Sequence, residues 1–566
     1  MSKFNQRGST AAVPNTTNRA GAPAFQLTPA KELATILLTN FVKDEYYRTE
    51  KELTARICEL AKVVPLDFAT KAAVYARRVA GMRSVSHILA GELAERLKGT
   101  GHGVMFYAAM LERPDDIMEI VSYRMAARSA ANARAALTHA LRKGFRLGFR
   151  KFDAYQLGKY QQKTHSLSLR DIVNLIHPRP LRSMAKVDRE QLIKALIVKK
   201  EFALTKPNTP ARTAELQPII DRLNAARQYE AESVPTIEIP AIEALMLGLL
   251  QAETYQKDLV QAGQAAAAAR SEGATEKEVA EVQEKMNAAA WDKFLNNPAT
   301  PYFALLRNLR NIADQAPNLV ELACGKLTDK KSIKGALVMP FRFLTAQGEI
   351  EKMPSSPARR AFQIAIAQAL EVSFDNIPNL EGETLVALDI SGSMSGNIQK
   401  IAGLFAAAFV KNSNADLIRF HNTAAYFDGF NPADSIPSIA KMISASTGGT
   451  SLSEVFRTAN KAYDRIVIFS DDEAWSGGSS NGAFLDYQKR HKCRPYVYGW
   501  NLKGYGTTTL PEQRVTVLGG FQSDLLALIG NETSPDALIA EIEKINLADF
   551  VGKRPKTKFK VVGGEK

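Results

Sequence analysis

Cysteine is scarce in this chain. Its 566 residues include three, Cys58, Cys324 and Cys493, far apart and odd in number. That excludes a disulfide framework and a thiolate zinc site, and it points to a reducing, cytoplasmic setting. Long apolar runs are missing too: none reaches the ~18 residues needed to span a bilayer, so no membrane role is expected. The polar first 24 residues lack the apolar core of a secretory signal and read as a disordered tail. No strict repeat period is present. The serines on either side of Met394 form no GxSxG nucleophile motif, because Met394 interrupts their spacing, so a hydrolase reading there is weak. What is present is ordinary globular composition, 45% hydrophobic and 23% charged, in a chain long enough for two or more domains.

The charge is unevenly placed. Residues 381–566 carry 20 basic and 20 acidic side chains, so the whole net charge of +14 falls on residues 1–380. A basic first region beside a neutral second one suggests that the first meets a polyanion.

From about Leu27 to Leu370, apolar residues recur at three- and four-residue spacing, as in Ala30–Val42, Thr49–Val63 and Pro65–Val79. Short turns between such segments predict a stack of antiparallel helix pairs. The Ala-, Gln- and Glu-rich stretch Leu249–Phe294 predicts a projecting helical hairpin, its second helix opened by a Thr275/Glu278 capping box. Beyond Gly382 the pattern changes. Strand-like runs at Leu385–Leu388, Asp416–Phe420, Ile466–Phe469, Pro495–Tyr498 and Val515–Leu518 alternate with helical segments. These are Ile398–Lys411, Pro437–Ser444, Leu452–Tyr463, Gly482–His491, Ser523–Ile529 and Pro535–Ile545. Such alternation predicts a doubly wound parallel sheet with ligands at the carboxyl ends of its strands.

One strand ends in Asp389-Ile-Ser391-Gly-Ser393. Thr450 follows 61 residues later at a helix start, and Asp471-Asp472-Glu473 closes another strand. The sheet brings these loops to one edge. Asp389, Ser391, Ser393, Thr450 and Asp471 then offer hard oxygen ligands, direct or through water, for a divalent cation such as Mg2+. The plain alternative is a strand–helix turn with an N-cap serine. The three elements resemble the metal-ion-dependent adhesion site of von Willebrand factor A domains, over roughly Glu383 to Phe550. That resemblance implies a protein-docking site completed by an acidic partner side chain, and no catalysis. Many such domains have Asp-Gly where this chain has Asp471-Asp472, which leaves open which carboxylate sits nearer the metal. A two-metal nuclease built on Asp389, Asp471, Asp472 and Glu473 is the least favoured reading.

Between Arg124 and Lys163, ten basic residues face a single acid, Asp153. Arg124 and Arg128 open the stretch. Arg142, Arg146 and Arg150 fall four apart on one helical face, as do Lys159 and Lys163. Tyr155, Tyr160 and His165 sit among them and can stack on unpaired bases. A solvated charged face is the plain alternative, though such faces usually mix signs.

Tyr160-Gln-Gln-Lys163 and Leu167-Ser-Leu-Arg170-Asp171-Ile-Val-Asn-Leu-Ile-His177-Pro-Arg179-Pro180 resemble the central motif of the TROVE domain of Ro autoantigen proteins. Asn18-Arg-Ala-Gly-Ala, Ala304-Leu-Leu-Arg307-Asn308-Leu309 and Pro357-Ala-Arg-Arg360-Ala fit the same family, most closely its bacterial members. The resemblance implies a ring of irregular HEAT-like helical repeats over residues 25–376, with the 249–294 hairpin projecting from it. A Rossmann-like von Willebrand factor A domain over 381–550 and a basic tail over 551–566 would follow. It further implies a monomeric, non-enzymatic scaffold. Y RNA would bind the outer ring surface, where Lys159, Lys163 and His177 match basic positions, and 3′ ends of misfolded RNA would enter the cavity. Polynucleotide phosphorylase or another exoribonuclease is the implied partner. The competing expectation is a magnesium-dependent protein adaptor with no RNA role.

Overall fold

The computed structural model describes residues 12–39, 48–129, 133–152, 167–176, 276–297, 300, 302–336, 338, 340–374, 380–474, 476, 478–511, 515–519 and 536–551. They fall into two compact units: residues 1–55 with 262–543, and residues 56–261 with 544–564. The expected helix Ser523–Ile529 and the first arm of the 249–294 hairpin lie outside the described residues. The second arm is present as a helix over Glu276–Asn296.

In the first unit, helices Tyr302–Gln315, Val320–Leu327, Pro340–Glu351 and Pro357–Ser373 pack on one another ahead of a six-stranded sheet. The strands of this unit are β1 (Thr16–Thr17), β2 (Pro23–Gln26), β3 (Thr384–Asp389), β4 (Asp416–Phe420), β5 (Ala424–Tyr426), β6 (Arg465–Ser470), β7 (Tyr496–Asn501), β8 (Thr507–Thr508) and β9 (Thr516–Gly519). The large sheet runs β5-β4-β3-β6-β7-β9, parallel except for the edge strand β5. The chain builds outward from β3 on one side, then crosses to β6 on the other. The loops after β3 and β6 therefore diverge, which opens a crevice at their carboxyl ends.

The period of two along each strand sorts the core. Leu385, Ala387, Ile466 and Ile468 meet Phe456, Phe484 and Tyr487 on one face. On the other, Phe469 stacks with Phe405 and Trp500 at ring-centre distances of 6.3 and 5.3 Å. Both faces are thus buried under helices, as a parallel sheet requires. The helix expected over Leu452–Tyr463 ends at Thr458, so that Tyr463 turns inward to bond Asp416 at 2.8 Å.

The N-terminal segment departs from expectation. Residues 12–24 are folded, not a disordered tail. β1, β2 and β8 form a small antiparallel sheet, with Phe25 paired to Thr508. Asn18 closes the β1–β2 turn by accepting from the Ala22 N–H at 2.9 Å, and it donates to the Ala474 carbonyl at 2.8 Å.

The second unit is helical: Leu66–Val74, Ser84–Glu92, Gly101–Met110, Asp115–Ala127, His139–Gly148 and Leu169–Ile176. The helix expected over Pro65–Val79 widens to a π-turn at Tyr75–Val79, where consecutive Arg77 and Arg78 are both buried. Arg77 pairs with Asp116 at 2.8 Å, and Arg78 donates to the Ala109, Leu111 and Phe550 carbonyls. Burial alone would raise the Asp116 carboxyl, but Arg77 and His87 hold it well below the ordinary carboxylate range.

Helix His139–Gly148 lies very close to helix Gly101–Met110. A Cβ on Gly144 would come within 2.5 Å of Tyr107 Cβ and 2.7 Å of the Val104 carbonyl. Gly144→Ala therefore overpacks backbone against backbone and should cost about 1–3 kcal/mol, read as a lower thermal transition. An unchanged transition would show that the two helices can separate freely.

Candidate metal centre and nucleic-acid interface

The loops after β3 and β6 meet through their own polar groups. In the parallel register Leu388 lies beside Phe469, which sets Asp389 beside Ser470. Ser470 Oγ donates to Asp389 Oδ2 at 2.6 Å, and the Ser391 N–H donates to Asp389 Oδ1 at 2.8 Å. The Ser391 and Ser393 hydroxyls are 3.2 Å apart. The loop before Thr450 is laced to the same turn. Thr447 N–H donates to the Ile390 carbonyl at 2.7 Å, and Gly392 N–H to the Gly448 carbonyl at 3.1 Å. The Thr450 carbonyl in turn accepts from Ser476 N–H at 3.1 Å, which ties this loop to the one after β6. All five residues expected at a metal site are buried and stand on three loops joined to one another.

The three acids after β6 take different directions. Asp471 repels Asp389 electrostatically and faces Lys503, 3.7 Å from its Oδ2. Asp472 points away. Its carboxylate accepts from Asn501 Nδ2 at 3.2 Å and Thr509 Oγ at 3.4 Å. With φ of +60°, Asp472 holds the left-handed conformation that glycine would take at no cost. Its N–H, bonded to Ser470 Oγ at 3.1 Å, helps to hold that strain. Of the pair left open by the sequence, Asp471 is the one that faces Asp389. Glu473 turns a third way, to accept from the Ala20 N–H at 3.1 Å.

Among the described residues no three His, Cys, Asp or Glu side chains converge as metal ligands. A centre here rests on two carboxylates plus hydroxyls. That donor set suits magnesium, which takes one or two carboxylates and keeps water. The residues fit a cation on a second ground: Asp471 Oδ2 is buried and accepts no hydrogen bond. Burial and the neighbouring Asp471 push the Asp389 carboxyl up to about 7. Burial likewise raises Asp471, with Lys503 and the Ser393 hydroxyl pulling the other way.

The basic stretch separates into several fates. Arg124 is a correction: it is 3% exposed and serves as a helix clamp. Its guanidinium donates to the Ala136 carbonyl at 2.7 Å, the Gly91 carbonyl at 2.6 Å and Glu95 at 3.2 Å. A buried guanidinium must satisfy its donors this way, which leaves it unavailable to phosphate. Arg128 is exposed and pairs with Glu95 at 2.7 Å. Arg146 Nε donates to the Ile176 carbonyl at 2.8 Å, at the end of helix Leu169–Ile176. Lys151 donates to the Ala108 and Phe550 carbonyls at 3.0 and 3.2 Å, and burial with nearby Arg78 lowers its pKa to about 6. On helix His139–Gly148 Lys143 is exposed and Arg142 half-buried on its flank, away from the buried Leu141, Gly144 and Phe145. Lys159, Lys163 and His177 lie outside the described residues, as does the side chain of Arg150. Asp171, inside the quoted central motif, accepts from the Ser168 N–H at 2.8 Å in a capping box.

The TROVE domain family model matches residues 31–369, more than half the chain. The chain belongs to the TROVE family. Among curated relatives, the rat telomerase protein component 1 is 25% identical over 337 residues, covering 56% of this chain. The Deinococcus radiodurans RNA-binding protein RO60 is 28% identical over 199 residues, 31% of this chain. The chain spans 12% of the first relative's length and 37% of the second's. The crystal structure of the D. radiodurans RO protein matches with a TM-score of 0.50 at 15% identity, covering 93% of this chain and 100% of that one. That likeness shows the fold of this TROVE chain: helical repeats joined to a Rossmann-like sheet.

A carboxyl whose pKa rises on folding holds its proton more tightly in the folded state. Without metal, the fold should therefore lose stability as pH climbs from 3.8, the ordinary value for Asp389, through about 7. In EDTA the urea midpoint should fall between pH 5 and pH 8, and Mg2+ should restore more at pH 8 than at pH 5. Equal Mg2+ stabilisation at both values would show that these carboxylates do not bind the ion.

Proposed function

We propose that this TROVE protein is a non-catalytic RNA-binding scaffold of the Ro type. Membership of the TROVE family over residues 31–369 carries the reading. It is supported by the name of the D. radiodurans relative, an RNA-binding protein, and by a net +14 confined to residues 1–380. In the finer reading, a cytoplasmic monomer binds a small Y RNA on an outer basic surface and takes single-stranded 3′ ends of misfolded RNA. It presents them to an exoribonuclease such as polynucleotide phosphorylase. The α/β part serves as a von Willebrand factor A domain whose Mg2+ site, Asp389, Ser391, Ser393, Thr450 and Asp471, docks a protein through an acidic side chain. A nuclease role is disfavoured because Asp472 and Glu473 turn away from Asp389, toward Asn501 and Ala20.

The charge on helix His139–Gly148 gives the test. The double reversal Arg142→Glu with Lys143→Glu should weaken filter binding of Y-like RNA. It should also flatten the salt dependence of log K by about 0.7 for each single-strand phosphate left without its cation. Binding that is absent in the parent protein, or indifferent to salt, would sink the RNA reading. The built oxygen site favours one second reading, a magnesium-dependent protein adaptor. Partners captured from RNase-treated lysate with Mg2+ and released by EDTA would support it, and loss of every partner on RNase treatment would count against it.

A further inference from the structure

The loop that follows β7 sends a lysine into the oxygen site. Lys503 is 3% exposed. Its Nζ donates to the Ser393 carbonyl at 2.5 Å and lies 3.7 Å from Asp471 Oδ2, the carboxylate oxygen that accepts no hydrogen bond. We propose that Lys503 is the resident counter-cation of this site, and that a divalent ion binds at Asp389 and Asp471 only against its ammonium group. The inference rests on the metal reading above and names what regulates it.

The loop is built to aim that ammonium. Leu502 N–H is tied to the Ser470 carbonyl at 3.1 Å, at the very end of β6. The buried Asn501 side chain accepts from the Lys503 N–H at 3.0 Å and the Gly504 N–H at 2.6 Å. From the other side, buried Arg48 donates to the Lys503 and Gly504 carbonyls, each at 2.8 Å. The backbone around Lys503 is thus held by five hydrogen bonds, which fix the point from which its side chain reaches Ser393 and Asp471. A simple salt bridge would need no such frame. The arrangement places one positive charge where two buried aspartates need it. Without metal, the ammonium keeps the loops after β3 and β6 together. With metal, the two cations share Asp471 or the ammonium gives way, so affinity is set low and metal occupancy is coupled to the position of the Lys503 ammonium.

Mn2+ binding to the full chain, followed by electron paramagnetic resonance, tests this with Lys503→Met and Lys503→Gln. The glutamine keeps a donor for the Ser393 carbonyl and guards against a methionine variant that fails to fold. Removing one like charge at this range should tighten Mn2+ binding about tenfold or more. Adding Asp389→Ala to either variant should abolish it. Thermal denaturation in EDTA should show both neutral variants less stable than the parent, with a larger rise on adding Mg2+. Equal Mn2+ affinity in the parent and both variants would overturn the role of Lys503 while leaving the metal site standing. Absence of Mn2+ binding in all three would overturn the metal reading and this inference together.

Discussion

Burial of like charge at the carboxyl ends of β3 and β6 is the constraint around which the first unit is arranged. Asp389, Asp471, Asp472 and Glu473 are all withdrawn from water at the ends of these two neighbouring strands. Isolated carboxylates in such a place cost far more than a domain's net stability, so each must find donors or a cation. The structure meets the demand with pieces from distant parts of the chain. Ser470 and Ser391 serve Asp389, Lys503 serves Asp471, Asn501 and Thr509 serve Asp472, and the Ala20 backbone serves Glu473. The β1–β2 turn and the loop after β7 are therefore parts of the site as well as connections. Their order depends on it, and its geometry depends on them.

That mutual dependence explains what could be read from the sequence. The strands of the large sheet were legible because a doubly buried strand writes its own signature, a short run such as Leu385–Leu388 bounded by turn residues. Asp389-x-Ser391-x-Ser393 was legible for a similar reason: its ligand geometry is local. Lys503 was not, because its meaning comes from Ser393 and Asp471, which lie 110 and 32 positions away. The hairpin over residues 16–26 was hidden as well. Its first strand is two threonines, too short for any period, and its stability comes from pairing with Thr507–Thr508 and from Asn18 reaching Ala474. A signal did exist in Asn18-Arg-Ala-Gly, the asparagine and glycine of a tight turn, but composition alone reads such a stretch as tail.

The orientation of Asp472 sharpens the same point. From sequence, Asp471-Asp472 presents two equivalent candidates. Backbone conformation separates them. The left-handed turn at Asp472 reverses the direction of its side chain relative to Asp471, so that one carboxylate faces Asp389 and the other faces Asn501. An aspartate can hold this conformation at modest strain, whereas a β-branched residue would not.

Counting charges over a helical region overstates what it can offer a polyanion, since arginine has two uses. In the second unit Arg77, Arg78 and Arg124 are buried and direct their donors to Asp116, Glu112 and Glu95 and to backbone carbonyls, where a guanidinium fork satisfies several acceptors at once. What remains for a phosphate is decided by helix rotation. On His139–Gly148 rotation is governed by Gly144 and Gly148, whose missing side chains let the helix press against Val104–Ala108. With that face fixed inward, Lys143 is left on the outer side and Arg142 on the flank. The small residues of this helix thus control the electrostatics of its surface. A substitution at Gly144 that touches no charge would still redirect the positive field by rolling the helix that carries it.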